Sequence, residues 1–461
     1  MTDFRSLRER IEAEQIQFID FRVVDLVGHF RHISIPIARF TEELIDRGVG
    51  FDGSNYGYRQ IEGSDMVLIP DFSTAYVEER DGERILTLIG DICDAETHLP
   101  ARNAPRGIAQ RAVQYLAQSG IADEAVVSPE FEFYVFDEAL FESGTGRICA
   151  KLIPFEGREH CDRPGVKTSG TSAYHAPLPQ DRLFLLRNEI CRQLEEAGVP
   201  VKYHHHEVGA FGQQEIEIGF APLLRMADIT LMTKSIVRNV ASEAGLTATF
   251  LPKPLFCEAG NGMHLHQFLR KNGANIFAGD DGISEIARCY IGGILTHGKS
   301  LMAFTNPSTN SYRRLVPGYE APVHLVYGKA NRSAAIRIPA YAKGSDTRIE
   351  LRTLDATCNP YLTYAAILLA GIDGIQRGLD ADDLEMGPYD SALPEERMRE
   401  QDTARSLDEA LAALSDDHGY LLAEDIFSEQ DIEHWMCVKR MEQEAVALRP
   451  HPHEFTLYYD L

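Results

Sequence analysis

Acidic and imidazole side chains recur at every second position inside runs of strand-forming residues. Pro129-Glu130-Phe131-Glu132-Phe133-Tyr134-Val135-Phe136 is the clearest run. Residues two apart on a strand point to the same face and lie roughly 7 Å apart. Glu130 and Glu132 therefore project together from a strand whose other residues are apolar. Two carboxylates share one buried face only with a cation between them. Met263-His264-Leu265-His266 repeats the spacing with imidazoles, and Arg348-Ile349-Glu350-Leu351-Arg352 sets a carboxylate between two guanidinium groups. His204-His205-His206-Glu207 is followed by Glu215 in Gly212-Gln213-Gln214-Glu215-Ile216-Glu217-Ile218. Oxygen-rich sets with some imidazole suit hard divalent ions: three glutamates around one ion and a Glu/Glu/His set around another fit Mg²⁺ or Mn²⁺. Any one of these acids, taken alone, reads as a solvated strand residue. Taken together, their apolar flanks place them on buried strands around a cavity.

The basic residues are concentrated further along. Arg314, Arg332, Arg337, Arg348 and Arg352 fall within forty residues of an otherwise acidic chain of net charge -25. Arginine is forked and always charged, which makes it the preferred partner of phosphate and carboxylate. Surface ion pairing is the plain alternative for Arg313 and Arg348. Ions and arginines together imply a polyphosphate ligand and phosphoryl transfer. Asn310 to Pro322 reads as an ordered loop, and Phe51-Asp52-Gly53-Ser54-Asn55-Tyr56-Gly57 is by its own residues a turn.

These groups need a scaffold. A chain of 461 residues exceeds one ordinary core, so two or more domains are expected. Residues 3–14 read as a short amphipathic helix capped by Asp3, and residues 16–40 read as strands. Val67-Leu68-Ile69-Pro70 and Ile85-Leu86-Thr87-Leu88-Ile89 extend a small sheet. The break at Leu99-Pro100-Ala101-Arg102-Asn103-Ala104-Pro105 gives a boundary, with domains over 1–104 and 105–461. Pro105 suits the first position of a helix that Gly120 ends. Helical spacing recurs at Leu183, Leu186, Ile190 and Leu194, and again from Met226 to Val240. The order is α+β with antiparallel strands carrying the charged pairs. The stretch 380–405 reads as mobile polar structure. The negative charge argues against nucleic acid and against an anionic membrane surface. The eight cysteines form no C-x-x-C pair, the N-terminus lacks an apolar segment, and no apolar run approaches a membrane span. A cytoplasmic protein is the expectation.

Taken together, these runs resemble the bacterial-type (class I) glutamine synthetases over essentially the whole chain. The matching stretches are Phe51-Asp52-Gly53-Ser54, Ser64 to Asp71, Pro129 to Glu132, His204 to Glu207 with Gly212 to Glu215, Pro252-Lys253-Pro254 and Gly262 to His266. They continue through Asn310 to Pro322, Asn331 to Pro339, Arg348 to Arg352, Asn359 to Leu362 and Pro450 to Tyr459. The resemblance implies a small N-terminal β-grasp domain and a large catalytic domain whose antiparallel sheet lines an active-site funnel. It implies a dodecamer of two hexameric rings, with each site closed by a neighbour's N-terminal domain. It implies ATP-dependent ligation of ammonium to glutamate through a γ-glutamyl phosphate, with two or three Mg²⁺ or Mn²⁺ per site. By match, Glu132, Glu207 and Glu215 hold one ion, and Glu130, His264 and Glu350 the other. Arg314 clamps the substrate α-carboxylate, with Gly260 near its amino group, and Arg352 meets the γ-carboxylate. Arg332 and Arg337 stabilise phosphate, and His266 and Glu207 border the nucleotide. Glu320 is the flap acid, Asp52 deprotonates ammonium in the neighbour's site, and Tyr174 belongs to the ammonium site.

The chain departs from the family's pattern at several positions. Asn55 stands where a second serine is common, and Ala259 where Asn is. Lys202 stands where the nucleotide pocket often has Glu, Phe268 where it often has Ser, and Ser345 where a lysine is usual, with Lys343 two residues earlier. The segment Gly387 to Pro394 lacks the Asn-Leu-Tyr of adenylylated members, so that regulation is not expected. Asn55 and Ala259 keep open a γ-glutamyl amide synthetase that uses a small primary amine. A non-catalytic sensor or scaffold is the third reading, and the retained acids oppose it.

Overall fold

The computed structural model describes residues 3–59, 61, 63–156, 173–280, 282–318, 321–390 and 402–461. The first helix, Phe4–Ala13, starts where Asp3 accepts from the Ser6 amide and Ser6 returns the bond, and it buries Leu7 and Ile11. A six-stranded sheet follows. Its first strand, Phe18–Val24, pairs antiparallel with Phe30–Pro36 and parallel with the central strand Glu83–Asp94. Asp65–Pro70 lies between Glu83–Asp94 and the short edge strand Val49–Asp52, and Tyr76–Arg80 pairs with Glu83–Asp94. The alternating apolar residues Ile19, Phe21 and Val23 face a core shared with Leu68, Leu86, Leu88 and Phe40. The strands Val49–Asp52 and Tyr76–Arg80 have no clear signal in the sequence. Each is short and takes its register from a longer neighbour.

The helix Pro105–Gln118 opens the large domain with proline at its first turn. The domain is built on an eleven-stranded sheet whose main path of seven runs His324–Lys329, Ala334–Ile338, Ile349–Leu351, Leu265–Lys271, Glu124–Gly144, Gln213–Ile218, Val201–His206, the other four pairing with Glu124–Gly144 or Leu265–Lys271 off this path. Pairing is antiparallel, as expected, except between His324–Lys329 and Ala334–Ile338, which run parallel. The helices Phe184–Glu196 and Leu223–Glu243 pack apolar faces on its outer side, and behind Leu223–Glu243 lies the helix Pro360–Arg377, packed against helices. The last of these is buried nearly all round, and reads so in its sequence of Tyr, Leu, Ile and Ala. Of the stretch expected to be mobile, residues 391–401 lie outside the described residues, while Asp380 takes an ion pair from Arg288 at 2.8 Å. Among the described residues, no helix is long and apolar enough to cross a membrane.

One arginine ties the small sheet to a long helix of the large domain. Arg106 is buried and meets Asp71 (2.8 Å) and Asp91 (2.6 Å) of the small domain and Asp228 (3.0 Å) on the helix Leu223–Glu243. Burial works against its charge, but Asp228 and Asp91 hold the guanidinium above its ordinary pKa. Tyr361 donates to the same Asp228 at 2.6 Å. Removing one partner leaves buried carboxylates uncompensated. Arg106→Ala is expected to cost about 3–5 kcal/mol and to lower the melting midpoint, read by thermal or urea denaturation. A second ionic knot joins helices. His297 is buried, stacks on Tyr420 at 4.0 Å and meets Asp373 and Asp417, both at 2.8 Å. Burial lowers its pKa, but the two aspartates outweigh that and raise it. This stabilisation is complete below the ordinary imidazole value of about 6.5 and is lost as pH rises through the raised folded value. The melting midpoint of the wild type should therefore fall toward that of His297→Gln as pH increases past this window.

Candidate active site

Register creates the site. Glu215 lies opposite Glu132, and Glu217 opposite Glu130, across the antiparallel pair Gln213–Ile218 and Glu124–Gly144. Directly opposed side chains on such a pair lie about 5 Å apart. Four carboxylates thus form a two-by-two block on one buried face. His205 lies opposite Glu215 on the next strand. On the other side, His266 lies opposite Glu350, and Glu350 opposite Arg337. The two-residue spacing seen in each run therefore becomes a continuous polar floor, while Phe131, Phe133 and Ile216 turn into the apolar core on the opposite face.

The floor lines a cavity of about 1120 Å³ bordered by Glu130, Glu132, Glu207, Glu215, His264, Arg332, Arg337 and Arg352. His264 Nδ1 is 2.9 Å from Glu130 and 3.7 Å from Glu350, and its Nε2 is 3.9 Å from Glu132. His266 Nε2 meets the other oxygen of Glu130 at 2.7 Å. Among the described residues, ligand atoms converge in three groups: Glu130, His264 and Glu350; Glu130, Glu217 and His266; and His205, Glu207 and Glu215. The first is the set expected for one ion. In the third, His205 closes the group with Glu207 and Glu215, while Glu132 stands beside it, accepting the Gly262 amide at 2.8 Å. Sequence reasoning misses Glu217 and His205, although both continue the same two-residue alternation.

The electrostatics demand cations. Burial, then the charges of Glu130, Glu207 and Glu132, hold Glu215 well above the usual carboxylate range. Glu217 is raised by burial and Glu130, although Lys202 and Tyr203 both bond it. Burial also opposes the charge of Glu130, but His266 and His264 overcome it and hold this group well below its usual value. Glu350 is likewise pushed up by burial and Glu130 and brought down by Arg352 and the two histidines. The donors are oxygens and imidazole nitrogens with no thiolate, a set that fits Mg²⁺ or Mn²⁺.

Other expected residues fall around this floor. Gly260 and Arg314 line the cavity, and a side chain on Gly260 would meet Arg314 Cγ at 2.8 Å. The buried Arg314 donates to the carbonyls of Thr353 (2.9 Å), Leu354 (3.2 Å) and Arg352 (3.1 Å). Arg352 Nη1 and Arg337 Nε each donate to Glu350 at 2.5 Å. Tyr174 borders the cavity, stacked on His175 at 4.0 Å with its edge to His205 at 5.5 Å. His175 sits in a positive-φ turn and carries no spacing signal. His266 lies beneath the lining rather than in it. Glu320 lies outside the described residues. Asp52 is on the exposed end of the small sheet, and among the described residues none that line the cavity comes from that domain. Its carboxylate accepts from Ser54 N (2.9 Å), Ser54 Oγ (2.7 Å) and Asn55 Nδ2 (2.8 Å), bonds that lower its pKa. Arg313 is exposed, but Arg348 is not a surface ion-pairing residue. It is buried, because Phe220 and Tyr341 cover its guanidinium.

Comparison with known proteins agrees with this architecture. Residues 102–458 match the glutamine synthetase catalytic domain, and residues 15–95 match the glutamine synthetase β-grasp domain. The chain is 43% identical to the glutamine synthetase of Frankia alni over 98% of both chains, and 40% identical to that of Salmonella typhimurium over the same shares. Its structure is similar to a Plasmodium falciparum glutamine synthetase with a TM-score of 0.89 and 29% identity, covering 100% of this chain and 99% of that one. It is also similar to GmaS in complex with ADP, with a TM-score of 0.82 and 27% identity over the full length of both chains. A β-grasp domain joined to a sheet floored with carboxylates and flanked by arginines defines an ATP-dependent carbon–nitrogen ligase that uses divalent metal. The chain belongs to the glutamine synthetase family, of the bacterial class I type, and is a glutamate–ammonia ligase of nitrogen metabolism.

An ion that binds only the folded state raises its stability. Adding Mn²⁺ or Mg²⁺ to chelator-treated protein should raise the melting midpoint. Glu130→Ala, which removes a member of two ligand groups, should weaken that titration by about tenfold or more, in line with the loss of a carboxylate ligand.

Proposed function

We propose that this chain makes L-glutamine from L-glutamate, ammonia and ATP in two steps within the cavity. The observation that carries this reading is the opposed block of Glu130, Glu132, Glu215 and Glu217 beside Arg332, Arg337 and Arg352. Arg314 takes the α-carboxylate of glutamate beside Gly260. Arg352 holds the γ-carboxylate, one oxygen of which attacks the γ-phosphorus of ATP as the bond to ADP breaks. Arg332 and Arg337 draw the charge of the transferred phosphoryl group, and Glu207 borders the nucleotide, with His266 supporting that wall from beneath the lining. Two or three Mg²⁺ or Mn²⁺, held by Glu130, Glu132, Glu207, Glu215, His264 and Glu350, supply further neutralisation of phosphate oxygens.

Ammonium has no lone pair. Asp52 takes its proton, the freed nitrogen attacks the acyl carbon beside Tyr174, the C–O bond breaks with its electron pair going to the departing phosphate, and the surplus proton on the new amide nitrogen leaves with that phosphate. Glu320 closes the site against water, which would otherwise hydrolyse the acyl phosphate. Asp52 is not among the residues that line its own chain's cavity, which supports delivery from a neighbouring copy and hence a homo-oligomer, a dodecamer of two hexameric rings. The second reading is transfer to a small primary amine. The short side chain of Ala259 in the lining and the Asn55 bond to Asp52 favour it.

ADP release with glutamate and a panel of ammonium, methylamine and ethanolamine tests both readings. Ammonium is expected to be the preferred nucleophile, and no turnover with ammonium overturns the proposal. Asp52→Ala should lower kcat by about 10²–10⁴-fold, as for loss of a general base, with nucleotide binding retained. Light scattering should give about twelve times the mass of one chain, and an active monomer would overturn the shared site.

A further inference from the structure

The last strand of the sheet's main path is irregular at one point. Along the pair Val201–His206 and Gln213–Ile218, Tyr203 lies opposite Glu217 but Val201 lies opposite Ile218, so Lys202 is an extra residue with none across from it. Such a bulge re-aims side chains. Neighbours on a regular strand point to opposite faces. Here Lys202 and Tyr203 both turn to one acid: Lys202 Nζ donates to Glu217 Oε2, and the Tyr203 hydroxyl donates to Oε1. The Lys202 ammonium lies 4.9 Å from the centre of the Tyr203 ring. It reaches inward from the solvent side, since the Lys202 side chain is 33% exposed and that of Glu217 only 3%. A cation of the chain itself therefore meets Glu217, and both oxygens of that acid are engaged.

Glu217 also forms, with Glu130 and His266, one of the three convergent ligand groups. We infer that Lys202 serves this group as a tethered monovalent ion, that the group therefore takes no divalent ion, and that the chain holds two rather than three. The inference deepens the metal-dependent ligase reading above and rests on it. A bound divalent ion needs carboxylate oxygens turned toward it. Here both Glu217 oxygens face the bulge, and Glu130 Oε1 meets His266 Nε2 at 2.7 Å. An added ion would also share Glu217 with an ammonium of like sign, which disfavours it. Arg337 and Arg352 bond Glu350 of another group, but their position differs. Both line the cavity, where substrate anions draw them off, whereas Lys202 lies outside the lining. The charges point the same way. Six floor carboxylates, Glu130, Glu132, Glu207, Glu215, Glu217 and Glu350, face Lys202, Arg337 and Arg352, and two divalent ions cover the three charges left.

Titration of chelator-treated full-length protein with Mn²⁺, with free Mn²⁺ read by electron paramagnetic resonance, counts the ions without glutamate, amine or nucleotide. The wild type should bind two per chain. Lys202→Met should bind a third, about tenfold or more tighter than any further site of the wild type, as a released carboxylate ligand allows. Lys202→Arg, which keeps the charge, should stay at two. Glu217→Gln should leave the wild-type count at two and, combined with Lys202→Met, should remove the third. Glu217→Gln carries the test by itself if Lys202→Met does not fold. Three ions on the wild type overturn the inference, as does a folded Lys202→Met protein that stays at two, or a Glu217→Gln protein that loses an ion. Two ions on the wild type and three on Lys202→Met, with no turnover on any amine, support the inference and count against the ligase reading.

Discussion

Carboxylates held opposite one another on adjacent buried strands are the constraint on which this structure depends. Glu130 faces Glu217, and Glu132 faces Glu215, because the antiparallel register puts them there. Nothing in the apolar packing of Phe131, Phe133 and Ile216 relieves the repulsion on the other face of the same strands. The sheet therefore carries a local electrostatic deficit that histidines, arginines and one lysine only partly offset. Glu215 shows what remains, since burial and its acidic neighbours push its carboxyl toward the neutral form. A divalent ion removes that deficit, so fold and ion affinity have one origin.

The flanking arginines are governed by the same electrostatics. Arg337 and Arg352 both bond Glu350, an acid also counted among the ion ligands. One carboxylate thus answers cations of two kinds. A guanidinium fixed in this way is already aimed before any anion arrives, and less side-chain freedom is lost when one binds. Arg314 is held by three backbone carbonyls to the same effect.

Much of this is legible in the chain. The alternation in Pro129 to Phe136, in Met263 to His266 and in Arg348 to Arg352 marks the strands, the inward faces and the ion set Glu130, His264 and Glu350. The boundary helices follow from Asp3, Pro105 and Gly120. Pairing is what a single sequence does not carry. That Glu217 stands across from Glu130, or His205 across from Glu215, depends on register between segments more than seventy residues apart or joined through a loop. Arg348 reads as a surface residue for a related reason. Its neighbours Phe220 and Tyr341 arrive from other segments, and only their convergence buries it. Asp52 shows the opposite limit: its residues spell a turn, and what forms is the end of the edge strand Val49–Asp52 running into a short 3₁₀ helix over Gly53–Tyr56, so its chemistry is invisible without a second surface to face.

The Arg106 junction has a mechanical consequence. Two aspartates of the small sheet and one on a long helix of the catalytic domain close on a single guanidinium, and Tyr361 braces the last of them. A joint pinned at several points resists swivelling in every direction, whereas a lone contact acts as a pivot. The small domain is thus mounted as a bracket rather than hung from a tether, and the placement of its far tip is governed by a handful of charges at its base.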